Sequence, residues 1–168
     1  LLMYCLSIEQ INRISPYKVE IASDGNSLLF HTRYGLVYEV GFVEDYTFFD
    51  KNTYQFFIVE KNGSRFLKDP LVKETVWAII EVFFRENSNV LLYVCDTSDG
   101  RQASRDRLFD IWFYEYEKQE EYIHLTAKVE SDSIYYFASV ILKITHPHLD
   151  EIKEAFDVFT EDMKDKLS

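Results

Sequence analysis

The sequence predicts an α+β fold, a largely antiparallel sheet of about six or seven strands packed with three main helices, in one domain over residues 1–168. Three observations carry that expectation. Consecutive β-prone runs outnumber strand-helix-strand units. Three long stretches repeat their apolar residues at helical spacing. Apolar residues make up 47% of the chain, with fourteen Phe and twelve Tyr against five Gly and three Pro, which excludes disordered, collagen-like and loop-dominated chains.

Taken in order, Ser7 caps a short helix to about Ile14, with Gln10 three positions on in capping-box register, and Ser15-Pro16 ends it. "YKVEIAS", "SLLFHT" and "LVYEVGFV" follow as a meander, separated by turns at Asp24-Gly25-Asn26 and Arg33-Tyr34-Gly35. In the third run Leu36, Tyr38, Val40 and Phe42 share the inward face. "TYQFFIVE", Thr53 to Glu60, is a fourth strand, closed by Asn62-Gly63.

Asp69-Pro70 supplies an N-cap and a preset first turn, and Val72, Val76, Ile79, Ile80 and Phe83 then recur at helical spacing through Phe84. "VLLYVC" suits a central strand. Arg105, Leu108, Phe109, Trp112, Phe113 and Tyr116 trace a second amphipathic helix. From Tyr122, the residues Ile123, Leu125, Ala127 and Val129 alternate with a polar, wet face that includes His124. "IYYFASVILKI" is apolar on nearly both faces and belongs inside the sheet. A last helix opens with Pro147 at its first position and carries Leu149, Ile152, Phe156, Phe159 and Met163 on one side.

Formal net charge is -11, and the part from Glu115 onward holds thirteen acids against six lysines. That balance argues against nucleic acid as a partner, since phosphate affinity needs Lys and Arg. Cys5 and Cys95 lie far apart with no CxxC or Cys/His cluster, so neither a disulfide framework nor a zinc site is encoded, and a reducing cytoplasm fits. Apolar runs are too short for a membrane span, and the N-terminal LLMYCLSI lacks the marks of an export signal.

The chemical oddity is "CDTSDGRQASRDR", the junction between "VLLYVC" and the second helix. Asp96 and Asp99 could hold a divalent ion, and Arg101, Arg105 and Arg107, three of only seven arginines, could grip a phosphate or carboxylate at a helix N-terminus. The architectural reading is as good: Asp99 caps the helix, Gly100 turns the chain and Arg105 pairs with Asp96. No phosphate-loop, dinucleotide or EF-hand spacing is present. "THPHLDE" sets His146, His148 and Asp150 in alternation, which is metal-competent chemistry but also ordinary helix-start chemistry. His31 and His124 read as surface or cross-strand partners, and Cys95 as inert.

The segments "YGLVYEVGF", "VLLYVCDTSDGRQASRDRLFDIWF" and "YYFASVILKITHPHLDEIKEAF" resemble a small family of uncharacterised single-domain proteins from Bacteroidetes, a domain of unknown function. That resemblance implies a bacterial, intracellular domain and brings no catalytic residue, metal or cofactor. The expectation is a non-enzymatic module that binds another protein through its acidic C-terminal face or exposed aromatics. The alternative is a binder of, or enzyme acting on, a phosphorylated or carboxylated small molecule at Asp96, Asp99, Arg101, Arg105 and Arg107.

Overall fold

The computed structural model describes residues 6–62, 69–96, 113, 115–116, 118–131 and 134–167. Their elements are α1 (Ile8–Ile14), β1 (Val19–Ile21), β2 (Leu28–His31), β3 (Val37–Glu44), β4 (Thr53–Glu60), α2 (Pro70–Phe83), β5 (Val90–Asp96), a short 3₁₀ turn (Gln119–Glu121), β6 (Tyr122–Ser131), β7 (Ile134–Lys143) and α3 (Leu149–Leu167). The strands form a seven-stranded sheet in the order β1-β2-β3-β4-β5-β7-β6, in which β4 and β5 run parallel and the other registered pairs antiparallel. The α+β class is therefore the observed one. The expected helix over residues 105–116 lies outside the described residues apart from Phe113, Glu115 and Tyr116.

The chain divides into two compact units, residues 1–43 with 56–86, and residues 44–55 with 87–168. In the first, Ser7 caps α1 by accepting a hydrogen bond from the Gln10 N–H at 3.2 Å. Asn12 then stands in for a neighbouring strand: its amide donates to the Val19 carbonyl (2.8 Å) and accepts from the Val19 N–H (2.7 Å), fixing where β1 begins. Gly25 and Gly35 occupy the left-handed region in the two turns of the meander, at φ of 73° and 78°, which β-carbon-bearing residues enter at a cost.

In β3 the alternation holds: Tyr38, Val40 and Phe42 are buried, whereas Val43 is exposed. A β-carbon at Gly41, on the other face, would lie 2.3 Å from the tip of the Phe57 ring, so that ring would have to move aside. The Lys61 N–H donates to the Val37 carbonyl at 2.7 Å, so Val37 meets Lys61 as Gly41 meets Phe57, and β3 and β4 are antiparallel.

Helix α2 starts where the sequence places it. Asp69 accepts from the Leu71 N–H (3.0 Å), Pro70 occupies the first turn, and Val72, Val76, Ile79, Ile80 and Phe83 are all buried. Phe83 stacks on Phe42 with centroids 4.5 Å apart and rings nearly parallel. That stack ties the helix to the inward face of β3.

In the second unit, β7 lies between β5 and β6 and is apolar on both faces, as a central strand must be. One face, with Val90, Leu92, Ala127, Val129, Ala138, Val140 and Leu142, is covered by Ile152, Phe156 and Met163 of α3. Side-chain bonds close the ends of the strands: the Asn87 amide donates to the Thr145 carbonyl (2.9 Å), and the Thr145 hydroxyl donates back to Asn87 Oδ1 (2.6 Å).

Helix α3 opens at Leu149, so Pro147 precedes it rather than holding its first position. A turn intervenes, in which the His146 N–H bonds to the Lys143 carbonyl and the His148 carbonyl accepts the first helical bond from the Ile152 N–H. No helix among the described residues is long and apolar enough to cross a membrane.

Candidate functional site

The strand-to-helix junction that the sequence singles out lies largely outside the described residues. Asp96 is the last residue of β5, in register with Tyr136 of β7, while Asp99, Arg101, Arg105 and Arg107 are not among the described positions. Cys95 precedes it in the same ladder, opposite Phe137.

The histidines of "THPHLDE" are accounted for by hydrogen bonds. His146 is buried; its Nε2–H donates to the Ser88 carbonyl and its Nδ1 accepts from the His148 N–H, both at 2.9 Å. Both ring nitrogens are thereby engaged and the ring is held neutral, since burial lowers its pKa against the opposing pull of the Ser88 carbonyl. His148 turns outward to Glu151 at 3.2 Å. Among the described residues no group of three or more His, Cys, Asp or Glu side chains is arranged to hold a metal ion. The job of His146 is to pin the start of α3 to the loop before β5. We expect His146→Ala to lower the unfolding free energy by about 2 kcal/mol, because it removes both hydrogen bonds of the buried ring; urea titration of the two proteins measures it.

His31 and His124 are cross-strand partners. His31 on β2 approaches Glu20 on β1 at 3.5 Å, in the open. His124 is not on a wet face, as the alternation of β6 suggests: it is half-buried, bonds through Nε2 to the fully buried Ser139 of β7, and lies under Phe113 at a centroid distance of 4.5 Å. The covering ring comes from a segment eleven residues back in the chain, which no local periodicity announces.

A recess in the second unit lies between α3 and the β5-β7 face of the sheet, with a volume of about 560 Å³. Its floor is apolar and aromatic: Val94 of β5, Tyr136 of β7, Phe48 from the loop before β4, and Phe159 and Met163 of α3. Phe48 meets Phe156 edge-on at 6.0 Å and Phe159 at 5.9 Å, so the wall is a packed cluster. Ala155 lines the recess too, and its small side chain leaves room where a longer one would fill the space.

The polar groups stand around that floor. Gln55, in register with Leu92 and so on the same face of the sheet, presents an amide that bonds to no other described residue. Asp45 turns one carboxylate oxygen to the Thr47 N–H (3.0 Å) and hydroxyl (2.5 Å). On α3, Asp162 and Lys166 sit a turn apart at the rim without an ion pair to any described residue, beside Val158, which is 61% exposed. Recesses of this size with an apolar floor and a few convergent polar groups are where proteins take ligands.

The loop residues Asp45 and Phe48 and the strand residue Gln55 are functional candidates that sequence reasoning missed. Phe48 and Phe49 sit in irregular chain, where burial follows no period. Gln55 carried a readable signal, an amide in a strand otherwise rich in aromatic and branched residues.

Sheet and helices thus define an α+β fold with a candidate ligand groove under its last helix. The chain belongs to a family of unknown function, DUF6169, whose match covers residues 68–158, from the start of α2 to the middle of α3. Comparison with curated proteins gives no match. Among solved structures, an acetyltransferase of the GNAT family from Streptococcus pneumoniae is similar at 12% identity and a TM-score of 0.41, over 69% of this chain and 65% of that one. The shared region is therefore less than two thirds of that protein's length.

Proposed function

We propose that this domain is a non-enzymatic accessory module that binds another protein, taking a basic segment of its partner into the groove under α3. The setting we propose is the bacterial cytoplasm, on the resemblance to Bacteroidetes proteins and the absence of any disulfide spacing. The observation that carries the reading is the pairing of an aromatic floor with an acidic rim. Phe48, Tyr136, Phe159 and Met163 would receive the apolar stems of lysine, arginine or neighbouring residues, and Asp45 and Asp162 their charges. Lys166 is a single opposing charge at the end of the groove.

The surrounding helix strengthens the field. Residues 149–167 hold seven acids against three lysines, and Asp150, Glu151, Glu154, Asp157 and Glu161 are all exposed on that helix. Such a surface accelerates encounter with a basic partner and repels an acidic one.

Fluorescence anisotropy with a labelled peptide of alternating Lys and Leu tests the proposal. Binding is expected to weaken steeply with salt and to weaken about five- to tenfold in Asp162→Lys, which replaces attraction with repulsion at the rim. A sequence-matched Glu/Leu peptide is expected not to bind. Equal binding of both peptides, or indifference to Asp162→Lys, would refute a charge-selective groove.

A further inference from the structure

We propose that the end of the buried face of the first unit, where Tyr38 of β3 meets Glu60 of β4, is a binding site for a small primary ammonium group, its N–H donors shared between the Glu60 carboxylate and the Tyr38 hydroxyl. The pairing of Val37 with Lys61 and of Gly41 with Phe57 makes Tyr38 and Glu60 direct cross-strand neighbours on one face. They form a non-hydrogen-bonded pair, in which opposed side chains approach most closely. Val40, Phe42 and Phe56 continue that face into the core.

Both members of the pair are chemically incomplete. Tyr38 is only 2% exposed, and its hydroxyl has no hydrogen-bond partner. Glu60 Oε1 is enclosed and likewise has none, and among the described residues no cation pairs with the carboxylate. Buried polar atoms are almost always paired, so two orphans on adjacent strands call for a common cause. A group that donates to both oxygens is one such cause.

The surroundings select its charge and shape the site. Tyr38 stacks on Phe30 at 5.3 Å, and Phe30 on Tyr17 at 6.1 Å, which immobilises the phenol. The Tyr17 hydroxyl donates to Asp69 at 2.5 Å, and Asp69 also caps α2, so a second carboxylate stands nearby with its near donors already assigned. Burial first, then the charges of Glu60 and Asp69, push the Tyr38 hydroxyl up to about 12, which leaves it a neutral oxygen able to accept from an N–H. The Arg33 N–H reaches the Tyr17 hydroxyl at 3.3 Å, while its guanidinium lies over the Tyr34 ring. Two carboxylates without a counter-cation among the described residues favour a cationic guest.

Access is consistent with that role. Glu60 is the last residue of β4, at the carboxyl end of the strand, half-buried as a residue although its Oε1 is enclosed. Ligands of open sheets with parallel strands collect at such carboxyl ends.

Methylammonium chloride is the probe, with potassium chloride and tetramethylammonium chloride at equal ionic strength as comparators, and the thermal midpoint of the full chain as the readout. Methylammonium is expected to raise the midpoint, whereas tetramethylammonium, which has no N–H, and potassium are not. Tyr38→Phe, which keeps the ring and removes the orphan oxygen, and Glu60→Gln should each raise the half-saturating methylammonium concentration at least about tenfold. Should either variant fail to fold, the side-chain carboxyl ¹³C resonance of Glu60 in the unaltered protein reads the same event and must move with methylammonium alone. Identical responses to all three salts, an unmoved Glu60 resonance, or an effect that survives both substitutions overturns the proposal, leaving an ordered water as the satisfier of the pair.

Discussion

Phe83→Ala is expected to lower the unfolding free energy by about 3–5 kcal/mol, a large fraction of what holds a domain of this size together. The ring is 1% exposed, lies flat against Phe42 at 4.5 Å and meets Phe84 edge-on at 4.9 Å. Truncation removes the transfer energy of the ring and leaves a cavity whose walls, a helix and a strand, cannot close on it independently of their neighbours. The two aromatic contacts add about 0.5–1.5 kcal/mol each beyond burial. In urea the midpoint should fall with little change in slope, because the surface exposed on unfolding is nearly the same. Val158→Ala, at an exposed position, should stay within about 0.5 kcal/mol and serves as the reference. A loss below about 1 kcal/mol in Phe83→Ala would mean that α2 does not rest on β3 as described.

That position is legible in the sequence because everything that defines it is local. Asp69 and Pro70 announce the start of α2, the apolar repeat from Val72 to Phe83 announces its buried face, and the observed helix runs over those residues. The strand bounds follow the same logic: period-two runs ended by turn residues gave β4 at Thr53–Glu60 and placed β7, apolar on both sides, inside the sheet. What escaped was set by chain-distant partners. Nothing local says that β7 should sit between β5 and β6, or that a ring from position 113 should cover His124. The groove draws on a loop, two strands and the last helix, so no contiguous motif encodes it. Glu60 is the instructive case. Counting in twos from Tyr54 and Phe56 puts it on the buried face, and a carboxylate there was a readable anomaly that the turn beside it concealed.

His124 should make stability fall as the solution is acidified from neutral to about pH 4, by roughly 3 kcal/mol from this residue alone. Burial penalises the imidazolium and lowers the pKa to about 4, from an ordinary value near 6.5 in the unfolded chain. Between those two values the unfolded chain binds a proton that the folded chain refuses, so acidification there favours unfolding. Above about pH 6.5 both forms are neutral and the contribution is complete; below about pH 4 both are protonated and no more is lost. The fully buried Ser139 makes the coupling strict, because the imidazole bonded to it cannot swing to solvent without leaving that hydroxyl unpaired. Carboxylates and His146 also titrate across this range, so the comparison is with His124→Gln, which keeps a polar group at the site and cannot protonate. Unfolding free energies at about pH 7.5 and about pH 4.5 should fall more in the unaltered protein than in the variant, by roughly 2–3 kcal/mol. Parallel losses in the two proteins would show that His124 reaches solvent and that Phe113 does not seal it.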